Sequence, residues 1–260
     1  MTALAFQQPP AAGQFAPPLD GLAGQIATSV IDTVKRAAAG AARSMQVALG
    51  PSEYGIPCTR RLAYKLLDWP QVNADTDPWA SIIGTAVHAW MEQTYSAENR
   101  RLGYERYLIE RTLQITPNLR GHSDLFDRDH GVVIDWKVVG LDQLKKYRAN
   151  GPGEQYRKQG HIYGLGQQLA GERVEHVAIV FLPRGGQISG LHVWTEPYDH
   201  TIALDAIRRV DTIRSLLLHA DPEANPQAWQ LFPTAEAHCT YCPNYLPGST
   251  DLTVGCPGPQ

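Results

Sequence analysis

VVIDWKVV, residues 132–139, is an apolar, β-branched run bounded by Gly131 and Gly140, the pattern of a buried strand. Side chains alternate along a strand, so Asp135 and Lys137 share one face and Trp136 takes the other. Two shorter runs precede it. GHSDLF (121–126) carries Asp124, and RYLIERTLQIT (106–116) alternates apolar and polar residues in the strand manner. The connections are a few residues long, so the three are expected to pair as an antiparallel meander. That pairing brings Asp124 within a few ångströms of Asp135. Two carboxylates forced together repel and call for a cation, and hard oxygen ligands suit Mg²⁺ or Mn²⁺. Lys137 beside them offers a positive group that can orient a water or stabilise a developing anionic oxygen.

Around this meander the period changes to that of helices. Residues 78–101 repeat Ile83, Val87 and Met91 at four-residue spacing, and a short helix is expected at 57–67 with Pro57 at its start. Further helices are expected at 154–170 and 200–219, with strands at 174–183 and 188–197. The order is that of an α/β protein around a mixed sheet. Residues 1–18 read as a disordered tail and 19–50 as a helical extension with Leu22, Ile26, Val30 and Val34 at i+4. The core is expected over 51–220, and 221–260 as an irregular cysteine-rich segment.

Composition excludes several classes. Of 260 residues 43% are hydrophobic, too many for a mainly disordered chain, and the net charge of −3 rules out a histone-like cation. No apolar run reaches the roughly 18 residues of a membrane span. MTALAFQQPPAAGQFAPP lacks a basic n-region and is broken by prolines, so no signal peptide and a cytoplasmic address are expected. The four cysteines are Cys58, Cys239, Cys242 and Cys256. Without a secretion signal a disulfide framework is improbable, and the CxxC pair 239–242 favours metal or cluster ligation. Spacing leaves zinc and an iron–sulfur cluster both open. Joining residue 58 to residue 239 closes a loop worth roughly 5 kcal/mol by analogy with a covalent crosslink.

Gly121-x-x-Asp124 followed by Ile134-Asp135-Trp136-Lys137 resembles the metal-binding core of the PD-(D/E)xK nuclease superfamily. Gly84-Thr-Ala-Val-His88 resembles the GxxxH helix motif of RecB-like nucleases, and Gln159-Gly-His-Ile-Tyr163 resembles their QxxxY motif. One cysteine before this core and three after it resemble the iron–sulfur branch, which includes CRISPR-associated RecB-like exonucleases and the AddB nuclease domain. Cys58-Thr-Arg-Arg-x-x-Tyr64 resembles its N-terminal cysteine motif. Thirteen residues separate Cys242 from Cys256, a longer gap than the branch leads one to expect. Compact members are also carried by bacteriophages, which would place the protein in a host cytoplasm.

The resemblance implies a restriction-endonuclease-like core with a central mixed sheet flanked by helices, plus a cysteine-ligated cluster subdomain. It implies an Mn²⁺- or Mg²⁺-dependent DNA exonuclease acting on single strands or ends. His88, Asp124, Asp135 and the backbone carbonyl of Trp136 would hold the metal, Lys137 would position the attacking water, and Gln159 and Tyr163 would orient Lys137 or a DNA phosphate. A structural 4Fe–4S cluster would sit on the four cysteines, with zinc as the competitor. Glu92, on the helix face of His88, and Glu110, on the first strand, are candidates for supporting positions. Arg60, Arg61 and Lys65, with Lys145, Lys146, Arg148, Arg157 and Lys158, are candidate contacts to a nucleic-acid backbone or simply solvated charges. His122 and His161 adjoin motif residues without an independent case. Two rivals stand beside this reading: a non-catalytic DNA-binding iron–sulfur or zinc partner subunit, and an endonuclease on the same fold.

Overall fold

The computed structural model describes residues 21–39, 48–73 and 77–259. The chain divides into two units, Met1–Met45 and Gln46–Gln260. The first contains helix α1 (Gly21–Ala39), on which no residue is buried; Leu22, Ile26 and Val30 are all exposed. The expected tail at 1–18 and the helix expected over 40–47 fall outside the described residues.

The second unit is built on a five-stranded sheet, order β1-β2-β3-β4-β5. Strands β1 (Tyr107–Thr116), β2 (Leu119–Asp127) and β3 (Val132–Val139) form the expected antiparallel meander. β4 (His176–Pro183) runs parallel to β3, and β5 (His192–Pro197) closes that edge antiparallel to β4. β4, HVAIVFLP, is buried over almost its whole length, as befits a strand covered on both faces. The parallel step from β3 to β4 needs a crossover. Helices α5 (Leu141–Asn150) and α6 (Gly153–Leu169) supply it.

One face of the sheet carries the main core. Leu108, Leu113 and Ile115 of β1, Leu119 and Phe126 of β2, Val133 and Val177 meet Ile162 and Tyr163 of α6 and the apolar stripe of α7 (His200–Ala220). Asp199 caps α7, its side chain accepting from Thr201 N at 2.8 Å. The opposite face carries a smaller cluster. There α4 (Trp79–Leu102) lays Val87, Met91 and Tyr95 on Tyr107, Ile109, Leu125, Ile134 and Trp136. Gly103 ends α4 in the left-handed conformation, φ 77°. Asn99 then binds both backbone groups of Tyr107, at 2.8 and 3.0 Å, which fixes where β1 begins beneath the helix.

The segment 221–259 is irregular, as expected, but it is not a separate subdomain. Trp229 and Phe232 are fully buried and belong to the main core together with Ala237 and Cys256. Three further differences from the sequence reading are local. α2 (Pro51–Tyr54) and α5 were not expected, β2 begins at Leu119 rather than 121, and the expected strand at 188–197 opens with a 3₁₀ turn at Ile188–Gly190. α3 (Thr59–Leu66) falls where the short helix was expected.

Candidate functional site

β2 and β3 pair over three positions, Leu125↔Ile134, Phe126↔Val133 and Asp127↔Val132. Beyond Leu125 they part, and the Asp124 side chain takes the place of the ladder: its Oδ2 accepts from Trp136 N at 2.8 Å. Asp124 Oδ1 is thereby left facing α4, 3.6 Å from His88 Nδ1. Gly121 three residues earlier has a packing reason. A Cβ there would sit 2.5 Å from Pro51 Cγ and 3.1 Å from Tyr163 Cε1.

Glu110 reaches the same place by an irregularity in β1. Its φ is 45°, a left-handed conformation for a non-glycine residue. The alternation of β1 inverts there. Tyr107 and Ile109 face α4, whereas Leu113 and Ile115 face the main core and Arg111 reaches Gln167 and Glu172. The register between Ile109↔Leu125 and Arg111↔Ser123 sets Glu110 opposite Asp124. Glu110 Oε1 lies 3.8 Å from His88 Nδ1. One ligand atom from each of His88, Glu110 and Asp124 lies within 4.8 Å of the other two.

The His88 ring is oriented from behind. Its Nε2 is 3.2 Å from the Trp136 carbonyl oxygen. With the proton on Nε2 the ring donates to that carbonyl and turns the Nδ1 lone pair toward the two acids, the arrangement of a metal-ligating imidazole. The Trp136 carbonyl, expected as a ligand itself, therefore has His88 as its partner.

Asp135 and Lys137 share the other face of β3, as alternation requires. Lys137 Nζ is 2.5 Å from Asp135 Oδ2, and Gln159 Nε2 donates to Asp135 Oδ1 at 2.7 Å. Asp135 is 1% exposed, so its ammonium and amide partners are what make a carboxylate tolerable there. Its Oδ2, Gln159 Oε1 and Ser123 Oγ are buried with no well-directed hydrogen bond among the described residues. The aromatic ring over Lys137 is that of Tyr156, 4.9 Å from the ammonium, one turn before Gln159. Tyr163 is instead buried in the main core beside Gly121.

Burial and neighbouring charges set the electrostatics of the site. Burial, and then the nearby Asp135, lift the Asp124 carboxyl to about 7. Glu110 draws the His88 pKa up, burial opposes it, and Asp124 and Asp135 add to the rise. One imidazole and several carboxylates make a hard nitrogen and oxygen donor set, which suits Mg²⁺ or Mn²⁺.

Other expected residues lie elsewhere. Glu92 is exposed and makes no hydrogen bond or ion pair among the described residues. Lys65 pairs with Glu53 at 2.6 Å. Arg60 Nε donates to Phe232 O at 3.1 Å and Arg61 to Ala237 O at 2.8 Å, so both fasten α3 to the C-terminal segment. Arg148 donates to Gly190 O, Arg157 pairs with Glu196, Lys158 with Glu154 and Lys145 with Asp142. His161 is wholly buried, its ring between Glu196 Oε1 and the Asp199 N–H.

The four cysteines converge. Cys58, Cys239, Cys242 and Cys256 line one cavity with Tyr64, Ala237 and Tyr245, and none forms a disulfide. Cys58 is the residue before the first turn of α3. The long gap after Cys242 is a loop that returns: Cys256 N donates to Asn244 O at 2.7 Å and Leu246 N to Cys256 O at 2.8 Å, setting Cys256 beside Tyr245. Arg60 and the Gly258 N–H approach Cys256 Sγ at 3.8 and 3.5 Å. Burial pushes the Cys239 and Cys242 thiols up.

No family model and no curated protein matches the sequence. Among solved structures the chain is similar to SSO0001, at 17% identity and a TM-score of 0.48 over 90% of this chain and 98% of that one. It is also similar to an alkaline exonuclease, LHK-Exo, from Laribacter hongkongensis, at 9% identity and 0.43 over 73% and 97%. A phage-related exonuclease from Haemophilus somnus follows at 11% identity and 0.41 over 71% and 94%. At these identities and scores no residue's role carries across.

Proposed function

We propose that this chain is a metal-dependent DNA exonuclease that hydrolyses phosphodiester bonds on single strands or DNA ends. The observation that carries the reading is the convergence of His88, Glu110 and Asp124 from three elements, next to the Asp135–Lys137 pair at 2.5 Å. His88 Nδ1, Glu110 Oε1 and Asp124 Oδ1 would hold the ion, with Asp135 beside them. A bound Mg²⁺ or Mn²⁺ supplies Lewis acidity to a phosphate oxygen and an acidified water. The chain's own part is positioning. Asp124 is fixed by Trp136 N, His88 by the Trp136 carbonyl, and Asp135 by Gln159. Lys137, held between Asp135 and the Tyr156 face, presents its ammonium where a water or a developing oxyanion needs it.

The reading includes a structural 4Fe–4S cluster on Cys58, Cys239, Cys242 and Cys256. Tetrahedral zinc with Zn–S of about 2.3 Å would draw its sulfurs to roughly 3.8 Å of one another. Among the described residues no three of the thiols come within 4.8 Å of each other, although all four line one cavity. The cluster is preferred to zinc in this reading because one cysteine before the core and three after it resemble the iron–sulfur branch. Desolvated thiols are poor thiolates until a metal centre binds, so the centre and the local fold form together.

Purified protein with Mn²⁺ is expected to shorten end-labelled linear single-stranded DNA and to leave a single-stranded circle intact. Lys137→Ala is expected to lose activity by about a hundredfold or more while still folding, with a lowered thermal transition because Asp135 is left buried without its ammonium. A cut circle would make the enzyme an endonuclease, and no cleavage of either substrate would make it a binding subunit. Anaerobically purified protein should be brown, with absorbance near roughly 400 nm that is lost in Cys239→Ala. A colourless protein that carries zinc would replace the cluster.

A further inference from the structure

The helix α4 covers only part of its sheet face. Past the metal site, toward the β1–β2 turn, that face is open. Leu113, Ile115, Leu119 and Gly121 point into the main core or its packing. Their neighbours Thr112, Gln114, Arg120 and His122 therefore point the other way, and all four are exposed. The register pairs Thr112 with His122 and Gln114 with Arg120, so they form one strip across two strands. The strip is continuous with the site, because Arg120, His122 and Asp124 are alternate residues of β2. Arg120 and His122 make no hydrogen bond or ion pair among the described residues, unlike Arg60, Arg61, Arg148 and Arg157. The space on the α4 side is open as well. Gly84, one turn before His88, would meet nothing within 4 Å if it carried a Cβ.

We propose that this strip is the track on which one nucleic-acid strand reaches the metal site, with His122 and Arg120 holding the first and second phosphates from the one that is cut. The proposal rests on the nuclease reading above and names where and in what form its substrate binds. Spacing supports it. Alternate residues of an antiparallel strand are about 7 Å apart. An extended single strand repeats its phosphates at about 6 to 7 Å, so Asp124, His122 and Arg120 step in phase with three successive phosphates. Arg120 and His122, the phosphate-holding pair, stand in a single row along β2, whereas the two backbones of a duplex would call for two. Arg120 supplies a fixed charge to its phosphate and His122 a hydrogen bond.

The test is a chemical double-mutant cycle. Binding of labelled single-stranded DNA is measured by anisotropy with Ca²⁺ in place of Mn²⁺, for the wild type, Arg120→Gln and His122→Gln. Oligonucleotides carrying one neutral methylphosphonate at each position in turn are the partners. Arg120→Gln is expected to weaken binding about tenfold and to lower the slope of log Kd against log salt by about one. Neutralising the second phosphate should cost the wild type as much and Arg120→Gln nothing further. His122→Gln should behave likewise toward the first phosphate, with a smaller loss. Both variants should keep the wild-type thermal transition and Mn²⁺ shift. Wild-type affinity and salt slope in both variants, or penalties that add at every linkage, would overturn the track. So would tighter binding of blunt duplex with the same dependence on Arg120. If the wild type neither cuts nor binds DNA, the nuclease reading itself fails, which is a different outcome.

Discussion

Glu110 sits with φ at 45°, in a conformation that costs a non-glycine residue on the order of 1 kcal/mol or more. The return is a third donor atom within 4.8 Å of His88 and Asp124. Glu110→Gly should separate the two effects. Relief of the backbone should leave the thermal transition unchanged or raise it, while Mn²⁺ binding by calorimetry weakens. A variant that loses stability and keeps full Mn²⁺ affinity would deny Glu110 its place. Asp124 makes a second prediction. Burial and Asp135 raise its carboxyl to about 7, and a divalent ion held there would bind the carboxylate, so the metal would have to displace that proton. Thermal stabilisation by Mn²⁺ should thus be larger at about pH 8 than at about pH 6. A shift of equal size at both would remove Asp124 from the ligand set. Of these residues, Asp124, Asp135, Lys137 and His88 were legible in the sequence. Each belongs to a regular element whose alternation or motif spacing gives its direction. Glu110 was not, beyond being a candidate, since its left-handed backbone leaves no mark in residue type.

Elements are joined at this site by side chains rather than by ladders. Where β2 and β3 part, Asp124 bridges them, and α4 is held over the gap by His88 and by Asn99 at its far end. On the opposite face Glu172, just after α6, accepts from Arg111 of β1 at 2.9 Å and from Arg128 of the β2–β3 turn at 3.0 Å. Arg128 first, and Arg111, hold its carboxyl below the usual range against the pull of burial. Its contribution to stability is therefore complete above the unfolded value of about 4.3 and is lost as pH falls through the lower native one. Glu172→Gln should destabilise the fold at neutral pH in urea melts and converge with the wild type in acid. A difference that persists unchanged into acid would mean packing, not charge. The helices that were missed share a cause. α5 buries Leu144 alone, so it shows no apolar stripe, and α2 is a single turn.

Across the whole molecule, the cysteine site ties the start of the core unit to its end. Arg60, Arg61, Tyr64 and Trp69 reach backbone carbonyls of residues 232, 237, 252 and 253, around a cavity to which both ends bring thiols. Cys58→Ser should lower the thermal transition and make the segment after α7 an early site of proteolysis, with a stability loss bounded by roughly 5 kcal/mol. A variant with unaltered melting and protease resistance would show that the hydrogen bonds alone close the chain. No described helix is long and apolar enough to cross a membrane.

The sequence by itself determined the strands of the meander, the long helices and the faces on which Asp135, Lys137 and His88 lie. Those depend on period and on neighbours close in the chain. Only the tertiary structure decided that Glu110 joins His88 and Asp124, that Tyr156 rather than Tyr163 covers Lys137, and that Arg60 and Arg61 face the cysteines. It also brought Cys256 back across its long loop. These outcomes turn on where strands part and which helix lies over them. Such contacts are set by packing between segments far apart in the chain, and no local pattern of residue types encodes them.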